Sequence, residues 1–356
     1  MKISKNLTRT LLTTWLLLFC THTSYGVPPQ RELFNPVAVP GATGQPVYLT
    51  HSYMPGFVVH GADLYFAYPS NDQYSSTYIV KHDTEKGTWT SPMLLGRSVR
   101  NDPHCYPSLV MDNQGFIHAF YGAYMVPLRY RRTLRPYDIS EWTPEVGIGE
   151  RVTYARPFVL KDGRIVIHYR RLLYSTIEER VIMHNPNGLP GEYGFIESSD
   201  QGRTWSSFQT LFAFDRYWPY MGVTVWEDDL RAKFIMAWCW WDSAQLSAPP
   251  GPPYPETNLF MNHAPRLLSR YQDLCYAEVV IGATQWNEPN GTIHPLPITF
   301  DTIDPIKREE YLYVGDVSAD QDGTPTILFQ QCGQPGHPFS SVTYFSEQWQ
   351  FDHPFG

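Results

Sequence analysis

The chain is 356 residues long, carries a formal net charge of -8, and holds 15 % aromatic but only 17 % charged residues, where an average protein has roughly 25 % charged. The acidic balance excludes a general nucleic-acid binder, which needs a basic footprint, and the length is ample for a large apolar core in one or two domains. Its 24 tyrosines, 11 tryptophans and 31 prolines suit an all-β protein with carbohydrate-facing surfaces.

In chain order, Lys2, Lys5 and Arg9 precede a short apolar run, Leu11 to Phe19, and Ser24 and Gly26 are small residues before Val27. This pattern predicts a secretory signal peptide over residues 1–26, too short and wrongly flanked for a membrane anchor. A lipoprotein signal through Cys20 fits less well, because bulky Phe19 precedes it. Residues 27–356 are then expected to be soluble, monomeric, and secreted or periplasmic, without membrane insertion. Cys105, Cys239, Cys275 and Cys332 are scattered, so they do not form a small-domain disulfide framework, and their spacing pairs none of them.

A repeat then runs through the chain: an apolar strand, a tight polar turn and a second alternating strand. It starts at Gly56 (GFVVHGADLYFAYPS), Tyr106 (YPSLVMDNQGFIHAFYG) and Ala155 (ARPFVLKDGRIVIHYRR), with weaker copies from Gly222 and Gly315. Turn glycines Gly61, Gly115 and Gly163 recur at roughly 50-residue intervals, the period of a β-propeller built from four-stranded antiparallel blades. Five blades are readable in a single propeller domain over residues 27–356. SSDQGRTW, Ser198 to Trp205, fits the S-x-D-x-G-x-T-W turn called an Asp-box, which marks sialidase-like propellers and is nearly silent about chemistry. HDTEKGTWTSP and GATQWNEPNG look like degenerate copies, and Ser247 to Asn258 is a proline-rich loop.

The stretch from Asp102 to Arg132, DPHCYPSLVMDNQGFIHAFYGAYMVPLRYRR, concentrates histidine, tyrosine and arginine in an acidic chain. With YARPFVLKDGRIVIHYRR and DLCYAEVVIGATQWNEPNGTIHPLPIT, it resembles the BNR-repeat propeller family that includes ulvan lyases and related uronate polysaccharide lyases. The resemblance covers roughly Pro55 to Gln330 and implies a seven-bladed pattern, of which this chain would be a C-terminally shortened member. It also implies β-elimination on an anionic, ulvan-like polysaccharide. That reaction needs a neutraliser for the uronate carboxylate, a base for the C5 proton and an acid for the departing O4. No cofactor is required.

By motif position the family's catalytic histidine falls on His104 and its catalytic tyrosine on Tyr169. Tyr124 stands where a second histidine is expected; it can hydrogen-bond substrate but carries no positive charge. The neutralising arginine has no clean counterpart, since Glu197 lies near its place, and Arg171 or Arg156 is left to serve. Strand alternation puts Ile167, Tyr169 and Arg171 on one face and His168 and Arg170 on the other. Arg129 is the strongest substrate-binding candidate of the Arg129, Arg131 and Arg132 run, the others being expected on a solvated face. His118 alternates with core residues and reads as a satisfied buried histidine. His263 and Cys275 resemble a structural metal pair, zinc or calcium, although structural zinc wants four ligands.

Two other functions compete with the lyase. A sialidase-like glycoside hydrolase needs an arginine triad and a Tyr–Glu nucleophile pair that the sequence does not display. A non-catalytic glycan- or protein-binding propeller is favoured by Tyr124 in place of histidine. Convergence of His104, Tyr169 and an arginine in one groove separates catalysis from binding.

Overall fold

The computed structural model describes residues 55–70, 76–98, 105–173, 190–242, 271–310, 312–331, 339–345 and 347–351. The signal peptide, the proline-rich loop, His104, His263 and Cys332 lie outside the described residues. Among the described residues, no helix is long and apolar enough to cross a membrane.

Strands β1 (Phe57–His60), β2 (Asp63–Pro69), β3 (Ser76–Asp83), β4 (Thr88–Trp89) and β5 (Met93–Arg97) form the first sheet. The second contains β6 (Ser108–Met111), β7 (Ile117–Tyr121), β8 (Val126–Arg135), β9 (Asp138–Trp142), β10 (Val146–Val159), β11 (Ile165–Leu172), β12 (Gly191–Ser198) and β13 (Gln209–Phe214). The third contains β14 (Tyr217–Glu227), β15 (Ala232–Asp242), β16 (Tyr271–Val280), β17 (Gln285–Asn287), β18 (Ile293–Pro295) and β19 (Lys307–Glu310). The last holds β20 (Leu312–Ala319), β21 (Pro325–Gln331), β22 (Phe339–Phe345) and β23 (Gln348–Phe351).

This is the all-β propeller that the repeats predict. All five repeat copies fold as antiparallel hairpins: β1–β2, β6–β7, β10–β11, β14–β15 and β20–β21. Gly115 and Gly163 take φ of 88° and 89° in their turns, a left-handed backbone that glycine adopts without a Cβ clash. The second sheet has eight strands because β10 is shared. Its first part pairs with β8 at Val146 to Ile148, and its last part pairs with β11 at Arg156 to Val159.

Period-two burial gives each sheet two apolar faces, and the core lies between sheets. Tyr65, Ala67 and Ile79 pack on Leu109, Ile117 and Ala119. Within the second sheet Phe120, Leu128 and Tyr130 meet Ile165, Ile167 and Ile196. Val166, Phe195 and Phe212 then face Phe234, Met236 and Trp238. Finally Ile235, Ala237 and Leu274 face Val314, Ile327 and Phe329.

The Ser198–Trp205 turn is laced by short side chains. Thr204 donates its N–H to Asp200 Oδ1 at 2.8 Å and its hydroxyl to Oδ2 at 2.6 Å, and the Gly202 N–H donates to Ser198 Oγ at 2.8 Å. Trp205 inserts edge-on between Tyr130 and Phe120, 5.5 and 6.0 Å away. Gly202 has φ of 80°, and a Cβ there would lie 1.9 Å from the Tyr130 hydroxyl. Gly202→Ala is therefore expected to cost about 2–4 kcal/mol, combining backbone strain with a clash against a buried ring. Urea unfolding of the two proteins checks it.

Candidate active site

The site begins at the break in β10. Thr153 pairs with Arg170 and Arg156 with His168, so Tyr154 and Ala155 together face the single residue Tyr169. Such a bulge bends the strand and re-aims a side chain. Tyr154 sits at φ of 58°. For a bulky residue this backbone costs of order 1–3 kcal/mol and persists where the surroundings hold it in place.

The bulge sends Tyr154 to the face that carries His168 and Arg170. There the Arg170 guanidinium lies 4.5 Å from the Tyr154 ring, 5.0 Å from Trp218 and 5.6 Å from Tyr220. Arg170 is 1 % exposed, and its Nε and Nη1 have no hydrogen-bond partner among the described residues. No carboxylate of the described residues pairs with it. The field of Tyr193 and Tyr124 also reaches Arg170, and Tyr271 extends the aromatic belt at 5.3 Å from both Tyr220 and Tyr313. A buried cation held by π faces and hydroxyl dipoles is costly without an anion.

Burial, followed by Tyr220, pushes the Tyr154 hydroxyl well above its usual range, with Arg170 opposing. Tyr154 is thus a neutral hydroxyl beside a fixed positive charge. His168 lies on the same face, stacked on Tyr193 with centroids 5.4 Å apart. Burial, with Arg156 adding to it, lowers the His168 pKa to about 3. Arg156 spends its own charge across the molecule, donating to Asp316 Oδ1 at 3.0 Å and Oδ2 at 3.4 Å.

The residues singled out from sequence separate. Tyr124 is half-buried and lies in the field around Tyr154 and Arg170. Tyr169 turns to the opposite face, into the core with Ile165, Ile167 and Ile196. Its hydroxyl has no hydrogen-bond partner among the described residues. The nearby Glu150 N–H is not in bonding geometry, and burial raises the Tyr169 pKa to about 12. Arg171 shares that face, where Glu192 accepts from it and its guanidinium covers the Phe208 ring at 4.2 Å. Arg156 and Arg171 are both ion-paired, so neither offers an uncompensated charge.

Arg129 is likewise neutralised, donating to Glu145 at 2.5 Å. Contrary to the solvated face expected for the run, Arg131 is half-buried, and Arg132 lies over the Phe116 ring at 4.8 Å while bonding to Gln201. Arg129 and Arg132 are thus engaged by an acid, a ring and an amide, while the buried Arg131 Nε has no hydrogen-bond partner among the described residues. His118 is the satisfied buried histidine that alternation predicts, 2.8 Å from the Tyr130 hydroxyl and 3.3 Å from Asp112. Cys275 is fully buried among Trp238, Trp240 and Ala277. Burial pushes its thiol well up, which disfavours the thiolate that a metal would need. Among the described residues no group of three or more histidine, cysteine or acidic side chains is placed to hold a metal.

Tyr154 and Arg170 were missed by motif matching. Alternation already opposed Arg170 to Tyr169, but it is blind to the bulge that brings Tyr154 alongside Arg170. With His104 outside the described residues, the residues that gather around the buried Arg170 are Tyr124 and Tyr154, while Tyr169 lies on the opposite face.

The buried histidines also set a pH dependence. His118 and His168 both have lowered pKa values in the fold, chiefly through burial. Their unfolded forms bind protons more readily. Stability is therefore complete above the ordinary value of 6.5 and falls as pH drops toward about 3. For His168 alone the loss is expected to be on the order of 4 kcal/mol, checked by denaturant unfolding across that range.

Against this geometry stand the comparisons with known proteins. The description "BNR repeat-containing family member" matches residues 63–353. An ulvan lyase of Alteromonas sp. (strain LOR) is 21 % identical over 296 residues, covering 74 % of this chain and 53 % of that protein. An ulvan lyase of Pseudoalteromonas sp. (strain PLSV) is 26 % identical over 286 residues, covering 70 % and 52 %. The chain thus spans about half the length of the curated relatives it matches. Among solved structures, a PL25 ulvan lyase superimposes with a TM-score of 0.62 at 18 % identity, covering 84 % of this chain and 70 % of that one. The polysaccharide lyase Uly1 gives 0.57 at 11 % identity, covering 93 % and 76 %. At these identities the superpositions establish the propeller fold alone.

Proposed function

We propose that this chain, which belongs to the BNR repeat-containing family, is a secreted polysaccharide lyase that cleaves an ulvan-like uronate polymer by β-elimination. The observation that carries this is Arg170. It is a buried guanidinium with unmet donors and no described carboxylate partner, ringed by tyrosines, one of them on a strained bulge. The uronate carboxylate is the anion such a site suits. The relatives named above support the reaction class.

In this reaction Arg170 pairs with the carboxylate and spreads the charge that develops as the C5 proton leaves. The C5–H electron pair forms the C4–C5 double bond, and the C4–O4 bond breaks. Tyr154, protonated because its pKa is raised, gives its proton to O4. The base falls to His104, the residue marked by motif, which lies outside the described residues. Access to Arg170 requires the half-buried Tyr124 and Tyr220 to part, and their rings then stack on sugar.

The test incubates the chain from Val27 with ulvan, and separately with other glucuronate polymers. It follows the ultraviolet absorbance of the unsaturated uronate product. Rising absorbance supports the lyase, and a flat trace on every polymer with folded protein rejects it. Tyr124 in the histidine position keeps a binding propeller as the second reading. That reading predicts polymer binding by calorimetry with no absorbance change.

A further inference from the structure

The strained bulge in β10 is held by two other strands. Buried Ser108 of β6 donates its hydroxyl to the Ala155 carbonyl at 2.7 Å. Arg156, the first residue after the bulge and the register partner of His168, donates to both carboxylate oxygens of Asp316 in β20, at 3.0 and 3.4 Å. These two residues are 160 apart in the chain, and their side chains keep only 14 % and 20 % of their exposure.

The β-ladder does not fix this stretch unaided. Pro157 follows Arg156 and pairs with Ile167, and a proline brings no N–H to the ladder. A slip of the extra residue along β10 would send the side chains it passes to the opposite face. Tyr154, at φ of 58°, gains from any slip that relieves its backbone. Asp316, by contrast, is firmly placed. It follows a register shift in β20 between Val314 and Asp316, and its Oδ1 accepts the Val317 N–H at 2.9 Å. A Cβ on Gly222 of β14 would lie 2.8 Å from the Asp316 backbone, so the two strands meet there without a spacer. Met221 and Val223, on either side of that glycine, line one small cavity with Tyr154 and Arg156.

We infer that Asp316 is a positioning residue for the reaction: through Arg156 it locks the β10 bulge in register and so keeps Tyr154 on the face that carries Arg170. Two parallel hydrogen bonds to one planar guanidinium fix direction as well as distance, which an apolar contact does not. The effect is exerted through the Arg156 side chain and the β10 backbone. The inference rests on the lyase reading, and it makes a residue of the last sheet necessary for chemistry on the second.

The experiment uses the full chain. It compares wild type, Asp316→Ala, Asp316→Asn, Arg156→Met and Asp316→Ala combined with Tyr154→Phe, by crystallography and by the uronate assay. Asp316→Ala is expected to relax the bulge, move Tyr154 away from the Arg170 guanidinium, and lose about 10–10² in kcat at unchanged KM. Arg156→Met should lose as much. That match separates positioning from a stray charge, because Arg156→Met removes the cation that Asp316→Ala leaves unpaired. On the Tyr154→Phe background, Asp316→Ala should lower kcat by less than about twofold more, since the hydroxyl it positions is gone. A strut for the whole fold would cost the same factor on either background. Asp316→Asn keeps the side-chain shape and one acceptor, so it reads the same shift of Tyr154 where alanine does not fold, with kcat lowered about tenfold. An unmoved Tyr154 in the folded Asp316 variants overturns the inference, as does wild-type kcat in Arg156→Met or an undiminished loss on the Tyr154→Phe background. If Tyr154 moves in the variants but wild type cleaves no polymer, the positioning stands and the lyase reading is what fails.

Discussion

Arg170→Met is expected to lower β-elimination by about 10²–10³ in kcat while leaving the protein at least as stable as wild type. The two halves of this result come from one observation. A guanidinium that is 1 % exposed, with Nε and Nη1 unbonded among the described residues, carries a desolvation cost of several kcal/mol. Its contacts with Tyr154, Trp218 and Tyr220 return roughly 0.5–2 kcal/mol each. Methionine fills most of the same volume among those rings without the charge, so unfolding free energy is expected to stay level or rise by about 1–4 kcal/mol. Arg170→Ala differs in stability alone, losing about 2–3 kcal/mol to the cavity it leaves. Steady-state kinetics with thermal unfolding reads both halves. Full activity in Arg170→Met would move carboxylate neutralisation elsewhere, and an unfolded Arg170→Met would make the arginine a structural strut.

The second large effect is the contrast between two tyrosines that one bulge places on opposite faces of the sheet. Tyr154→Phe is expected to lose about 10²–10⁴ in kcat with little change in KM. Tyr169→Phe should keep its activity and gain up to about 1 kcal/mol, because its buried hydroxyl has no partner to lose among the described residues. The pH profile adds a sign check. An acid works while protonated, and the Tyr154 pKa is raised above 10, so the alkaline limb assigned to Tyr154 lies above pH 10 and neutral or mildly alkaline solutions keep it competent. The reverse pattern, with Tyr169→Phe inactive and Tyr154→Phe active, would return the site to the position chosen by motif.

Legibility followed sequence distance. The five hairpins were readable because alternation and a turn glycine act within about fifteen residues, and each pairs as written. The satisfied state of His118 was readable for the same reason, its partners Asp112 and Tyr130 lying close along the chain. The three arginines expected to bind substrate were not readable as spent. Arg129 meets Glu145, Arg171 meets Glu192 from the neighbouring strand, and Arg156 meets Asp316, 160 residues away.

By itself, then, the sequence determined the kind of molecule: a propeller, because each hairpin is specified by local periodicity and turn chemistry that tertiary context had only to accept. It also determined the face on which Arg170 lies, since alternation within β11 is a local property. Only the tertiary structure decided which tyrosine joins that arginine. The bulge in β10 places two residues opposite one, and a single extra residue moves a side chain from one face of a sheet to the other. What selects the bulge is the packing of Tyr154 against Trp218, Tyr220 and their neighbours from other strands, a contact that no local pattern of residues can express.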